Sequence, residues 1–205
     1  ASAGIFGKHI GRFIFTQQSR DSRLWGGSQV DVLTTVPLNG EAAWLAGAEF
    51  AWQQRLVFLP GAWSGLSLYA NYTYTWSLAI AEEEAANGME EEEEGFRLPG
   101  QAAHSGNFAL WYDRKRWSGR LALHGQSDFL LQAAEPEDAE SQLIYGGSVQ
   151  LDATVGYALS PYVTLFAEGM NLLNTPLRYF TGDKEHPSKL EYYGLWGRVG
   201  VKVGW

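Results

Sequence analysis

The chain's imidazoles, His9, His104, His124 and His186, are scattered across 205 residues. A hydrolase needs a nucleophile beside a base, and neither a Gly-x-Ser-x-Gly elbow nor a spacing that joins Ser, His and Asp occurs. Metal motifs of His and carboxylate are missing too, and Cys 0 removes thiolate ligands and disulfides. No enzyme activity and no cofactor are therefore expected. What remains is charge. Glu82, Glu83, Glu84 and Glu90 to Glu94 crowd around a small Gly/Ala/Asn patch, which reads as a solvated loop, extracellular and poorly ordered. A net charge of -8 without clustered Lys and Arg argues against nucleic acid as a partner. A second set of charges, Glu49, Arg55, Arg120, Asp152, Glu168, Arg198 and Lys202, sits at alternate positions of alternating segments. Alternation makes these lumen-facing candidates, and their simplest role is to pair across strands as salt bridges within a wall.

The elements that carry those charges have a period of two. In residues 44 to 58, Trp44, Ala46, Ala48, Phe50, Trp52, Leu56 and Phe58 share one face, and Gly47, Glu49, Gln53 and Arg55 the other. Residues 66 to 78 set Leu66, Leu68, Ala70, Tyr72, Tyr74, Trp76 and Leu78 against Ser67, Tyr69, Asn71, Thr73, Thr75 and Ser77. Residues 108 to 112, 117 to 129 and 149 to 159 repeat the pattern, the last with Val149, Leu151, Ala153, Val155, Tyr157 and Leu159 against Gln150, Asp152 and Thr154. Such runs exceed the usual five or six residues of a soluble strand and match the roughly 9 to 11 that cross a bilayer at a tilt. Leu66, Leu68, Tyr72, Leu121, Leu123, Leu151, Val155, Val199, Val201 and Val203 are expected to form a lipid-facing belt.

Composition agrees. Aromatic residues make up 14% of the chain, Gly 24 accompanies them, only 19% is charged, and no apolar run is long enough for a transmembrane helix. Connections alternate between short ones, such as Asp113-Arg114-Lys115-Arg116 and Ser160-Pro161-Tyr162, and long polar ones over residues 79 to 100, 130 to 147 and 178 to 190. That asymmetry is the one between periplasmic turns and extracellular loops of an outer-membrane barrel. Tyr72, Tyr74 and Trp76 near the long loops, with Phe58, Trp63 and Trp117 near the short turns, suit aromatic girdles. The expected fold is all-β, an antiparallel transmembrane β-barrel portion of about eight long strands. They cover residues 5 to 15, 29 to 58, 65 to 78, 101 to 113, 117 to 130, 147 to 159, 162 to 177 and 191 to 205. Pro37-Leu38-Asn39-Gly40 is read as lying within one very long strand; a hairpin there makes the count nine.

The last strand puts Leu195, Val199, Val201, Val203 and Trp205 on one face, opposite Arg198 and Lys202. A final strand ending on an aromatic resembles the signal read by the outer-membrane barrel-assembly machinery. Further stretches, in order, are similar to the C-terminal half of TonB-dependent receptors. They run from Phe6 to Ile14, Pro37 through Phe50, and Gly65 to Ser77 with Asn71-Tyr72-Thr73-Tyr74-Thr75. They continue through Leu98-Pro99-Gly100-Gln101, Asn107 to Tyr112, Gln150-Leu151-Asp152 with Gly156-Tyr157, Glu168-Gly169-Met170-Asn171-Leu172-Leu173-Asn174, Tyr193-Gly194 and Gly197-Arg198. The resemblance implies a 22-stranded barrel in the bacterial outer membrane, with an N-terminal plug and a TonB box. Neither plug nor box is recognised in residues 1 to 205, which look like the last third of such a barrel, partnered by outer-membrane lipid and reaching TonB only through those missing parts. It implies uptake of a scarce ligand such as a siderophore, vitamin, haem or oligosaccharide. The alternative from another class is a small closed barrel acting as structural anchor or adhesin.

Overall fold

The computed structural model describes residues 1–81, 95–134, 140–185 and 187–204. The acidic run of residues 82–84 and 90–94, His186 and Trp205 lie outside the described residues.

The described chain is built from strands β1 (Ser2–Gly11), β2 (Ile14–Trp25), β3 (Ser28–Arg55), β4 (Leu66–Ala81), β5 (His104–Arg114), β6 (Trp117–Gln126) and β7 (Phe129–Ala134). After these come β8 (Leu143–Tyr145), β9 (Ser148–Ser160), β10 (Val163–Met170), β11 (Leu177–Thr181), β12 (Pro187–Glu191) and β13 (Trp196–Val203). Five pairs run end to end, β1 into β2, β6 into β7, β8 into β9, β10 into β11 and β12 into β13, so the chain has eight arms, as expected. The lower strands form one antiparallel sheet in the order β1, β3, β4, β5, β6, β9, β10, β13. This sheet is open. Among the described residues β1 pairs only with β3 and β13 only with β10, so a small self-closed barrel is not the arrangement observed.

Register aligns the faces across the whole sheet. Phe50, Tyr72, Gly106, Gly125 and Val149 are successive partners, as are Trp52, Ala70, Phe108, Leu123 and Leu151. Tyr157, Leu165 and Val201 continue the same face, and all ten members of the expected belt lie on it. It is uncovered to both edges, with Ile5 90% and Val199 82% exposed. Trp117 packs on Tyr157 at 4.7 Å between centroids near the short turns, and Tyr72, Tyr74 and Trp76 stand toward the other end of the same face.

The longest strand settles one choice. Residues 37–40 lie within β3, 28 residues long, paired below with β1 and β4 and above with β2, and no hairpin forms at Pro37. The turn is at Gly26-Gly27, where φ values of +60° and +86° suit a two-residue hairpin that needs positive φ at both positions. The first arm therefore runs to Trp25, ten residues beyond the expected end at residue 15.

The expected long loops are also partly strands. Segments 130 to 147 and 178 to 190 contain β7, β8, β11 and β12, which form an upper sheet. Its strands are short, with β7 and β8 apolar on both sides apart from Gln132 and β12 largely polar, so no period of two advertises them. The β2–β3 hairpin joins this sheet through the parallel pairs Gln17 with Ala133 and Gln18 with Ala134. Since β7 continues β6, the pairing path β6, β5, β4, β3, β2, β7 returns to the arm where it began and encloses a small ring. Its interior holds Phe13, Phe15, Ala43, Ala79, Leu130 and Ala133, with Phe96 and Leu98 packed against them. This is the one buried apolar cluster identified among the described residues. Arg12, at φ +52°, and the register shift between Gly40 and Ala42 mark where the hairpin departs from the lower sheet, and the Phe13 ring lies over Gly40. A Cβ on Gly40 would meet that ring at 2.1 Å.

Candidate functional site

The face opposite the apolar one carries the charges. Arg55, Ser67, Trp111, Arg120, Thr154, Glu168 and Arg198 are successive register partners across β3, β4, β5, β6, β9, β10 and β13. Glu49 and Lys202 sit on the same face in other rows, as does Asp152, opposite Ala122. All seven candidates thus share one face, but they do not converge on one point.

Near the short turns the cations rest on aromatic rings. Arg120 lies 5.6 Å from the Trp111 centroid, Lys202 4.9 Å from Phe166, and Arg198 5.6 Å from Phe166 and 5.7 Å from Trp196. Arg198 also donates from Nε to Glu168 Oε2 at 2.6 Å, the cross-strand salt bridge that alternation suggested for this set. Arg55 and Glu49 have no ion pair among the described residues.

Higher on the same face the chemistry is neutral. Asn71 Nδ2 donates to the Tyr69 hydroxyl at 2.7 Å, while Asn71 Oδ1 accepts from the Asn107 backbone N–H at 3.1 Å and from Asn107 Nδ2 at 3.0 Å. With its amide oriented that way, Asn107 Oδ1 faces His124 Nδ1 at 2.9 Å and accepts a hydrogen bond from it. These links run across β4, β5 and β6 as a ladder of amides, phenol and imidazole. Asn71, Asn107 and His124 were not among the charge-based candidates. Their signal in the sequence is an uncharged hydrogen-bonding side chain at one alternate position on each of three neighbouring strands.

Asp152 does a different job. Its Oδ1 accepts from Gln150 Nε2 at 3.1 Å and from the Asn171 N–H at 2.9 Å. Asn171, at φ +52°, accepts from the Thr175 N–H at 2.8 Å and donates to the Gly194 carbonyl at 3.2 Å. Thr175 Oγ1 in turn donates to the Val149 carbonyl. Asp152 therefore fixes the break between β10 and β11 and ties it to the segment that leads into β13.

Four strands, β1, β3, β4 and β5, line a concavity of about 450 Å³ on the same face. Glu49, Tyr69, Asn71, Thr73, Ser105 and Asn107 contribute to its lining. It contains no Lys or Arg.

Above the lower sheet, Asp128 binds Lys184 at 3.0 Å and faces Arg97 at 3.8 Å, linking three connections. Burial works to raise the Asp128 pKa, but the hydrogen bond and charge of Lys184, a backbone N–H and Arg97 outweigh it and hold the carboxyl below its ordinary value. Glu191 is likewise lowered, by hydrogen bonds from Lys189 and Tyr193.

The three described histidines stay apart. His9 packs beside Trp44, His104 lies with Tyr72 and Tyr74 on the apolar face, and His124 belongs to the amide ladder. No group of three or more potential metal ligands occurs among the described residues.

Against known proteins, residues 1–172 match the family described as TonB dependent receptor-like, beta-barrel. No curated protein matches the chain. The match covers the lower sheet from β1 through β10, the amide ladder and the Asp152 network as far as Leu172, and it accords with the long antiparallel strands, the opposed faces and the short-turn end described above. The chain belongs to the TonB-dependent receptor β-barrel family.

Proposed function

We propose that this chain forms a C-terminal wall segment of a bacterial outer-membrane receptor that takes up a scarce ligand, such as a siderophore, vitamin, haem or oligosaccharide, using energy supplied through TonB. The family's role is outer-membrane transport. The observation that carries the reading is the separation of faces. Across the lower sheet one face holds most of the aliphatic and aromatic residues, and the other holds the amides, hydroxyls and ion pairs together with the rings under its cations, as suits a wall between lipid and an aqueous lumen. On this reading the first face meets outer-membrane lipid, and Glu49, Arg55, Arg120, Asp152, Glu168, Arg198 and Lys202 face the lumen. The two open edges, β1 and β13, support a larger wall over a self-closed anchor, because unpaired strand edges in lipid leave backbone groups unsatisfied. Val199, Val201 and Val203, which lie outward on β13, and Trp205 form the segment offered to the barrel-assembly machinery.

The test exploits Cys 0. Single cysteines at Leu123 and His124 fall on opposite faces of β6. In outer membranes, a membrane-impermeant maleimide should label His124→Cys from the lumen side and spare Leu123→Cys, which a lipid-soluble maleimide reaches. Equal aqueous labelling of both would sink the wall assignment. Loss of ligand uptake on collapsing the proton gradient, with binding retained, tests the energised transport.

A further inference from the structure

We infer that the concavity at Glu49, Tyr69, Asn71, Thr73, Ser105 and Asn107 takes a neutral, hydroxyl-rich ligand of the saccharide class. The inference rests on the transport reading above and deepens it by choosing among ligand classes. At about 450 Å³ the concavity falls within the range of roughly 300 to 1,000 Å³ usual for small-molecule sites.

Its lining is unusual for what it lacks as much as for what it has. A ferric chelate or other anion needs cations, and the lining has none, while Glu49 contributes a carboxylate that takes no ion pair among the described residues. That carboxylate is an acceptor only, with lone pairs on both oxygens, and it suits the donors of neighbouring hydroxyls. Thr73 and Ser105, direct partners across β4 and β5, supply hydroxyls that both donate and accept. Asn107 and Asn71 are held by each other and by Tyr69, so their amides are ordered before a ligand arrives, and little side-chain entropy is lost on binding. The Tyr69 ring, 6.0 Å from Trp111, adds an apolar flank against which the C–H face of a sugar ring packs. A polyamine would find one carboxylate among five uncharged groups, too few charges to replace the hydration of several ammonium groups.

The protein purified from outer membranes, as natively expressed, is applied to an array of neutral oligosaccharides and titrated separately with ferric citrate and with spermidine. Binding of at least one neutral glycan is expected, weakened about tenfold or more by Glu49→Gln and by Asn107→Ala, as when a hydrogen bond in a charge-assisted set is lost. Each variant is checked for heat-modifiable migration, and Leu123→Ile, on the opposite face of the sheet and outside the concavity, serves as the variant that retains binding if folding is intact. Failure of every neutral glycan to bind overturns the inference. So does ferric citrate binding that Glu49→Gln strengthens, or spermidine binding that it abolishes. Either of those results leaves the protein an outer-membrane receptor, whereas absence from the outer membrane fails the transport reading itself.

Discussion

Arg198 donates from Nε to Glu168 Oε2 at 2.6 Å, and the two residues are direct register partners of β10 and β13. The bridge fastens the last strand, which has a neighbour on only one side among the described residues. Glu168 is mostly covered, with 18% of its side chain accessible, but Arg198 is 57% accessible, so solvent screens the pair and its worth is about 1 kcal/mol or less. Arg198→Ala should lower the unfolding midpoint slightly, and the charge swap Glu168→Arg with Arg198→Glu should recover most of the loss. Denaturant titration in bilayers measures both, and a swap no better than the single change would place the stabilisation in Arg198's contacts with Phe166 and Trp196 instead.

A mid-strand pair on β9 tests the faces energetically. Leu151 pairs with Leu123 on the apolar face, and Gln150 pairs with His124 on the polar one. Leu151→Arg should cost about 2 to 4 kcal/mol, the usual penalty for a cation facing mid-bilayer lipid. Gln150→Arg should cost far less, since its neighbour Asp152 lies within hydrogen-bonding reach of residue 150. Asp152 itself is a poor control, because changing it also removes the bond to Asn171. Comparable losses at 150 and 151 in bilayer unfolding would count against the assignment.

Much of this arrangement was legible from residue types alone, and the reason is physical. Where a strand separates two media, each side chain must suit its own, so Leu66 to Leu78 alternate without a lapse and fix both strand and face. Above that zone both faces of β2 meet water or protein, and Gln17-Gln18-Ser19-Arg20-Asp21-Ser22-Arg23 shows no alternation, although it is strand. The parallel junction of β2 with β7 joins residues more than a hundred positions apart and leaves no local trace. The seven charges were found because charge stands out; the ladder of Asn71, Asn107 and His124 is visible only once register places three strands side by side.

The Asn171 turn should be sensitive in a way that its exposure does not suggest. Its backbone is left-handed, and its side chain both accepts from Thr175 and donates to Gly194. Asn171→Ala loses those bonds and strains the backbone, for an expected cost of about 1 to 3 kcal/mol. Asn171→Gly loses the bonds but keeps the conformation, so it should fall between wild type and Ala. Protease sensitivity at residues 171–177 ranks the three, and equal stability of Ala and Gly would remove backbone strain from the explanation.

The Asp128 clasp gives a pH dependence of fixed sign. Its pKa in the folded protein lies below the ordinary 3.8, so its contribution is present above that value and is lost as pH falls through the folded pKa. The clasp of Arg97, Asp128 and Lys184 should hold from neutral pH down to about 4 and release below it. Lys184 is largely solvent-exposed, which keeps the contribution under about 1 kcal/mol and makes high salt weaken it. Asp128→Asn should abolish the acid-dependent step in proteolysis of residues 95–100 without shifting unfolding of the lower sheet. An unchanged step in that variant would assign it to another acid.

The ring closed by β2 and β7 should behave as a local unit. Phe15 is 5% exposed and packs against Phe13 and Phe96 at centroid distances of 5.6 and 5.1 Å, inside a cluster that sits where the upper ring meets the top of the lower sheet at Ala43 and Ala79. Among the described residues, two register pairs and the hydrogen bond from Gln18 to Gln132 tie β2 to β7, so the junction depends on that packing. Phe15→Ala should remove about 3 to 5 kcal/mol, as is usual for a buried Phe, but locally. The β2–β3 hairpin should then be cut by protease near Arg20 and Arg23 much faster than in wild type, while the lower sheet keeps its heat-modifiable migration. A cysteine pair at Gln18 and Gln132, clean in a chain with Cys 0, should suppress that cutting when oxidised and restore it when reduced. Global loss of the folded barrel on Phe15→Ala would show instead that the upper ring and the wall unfold as one.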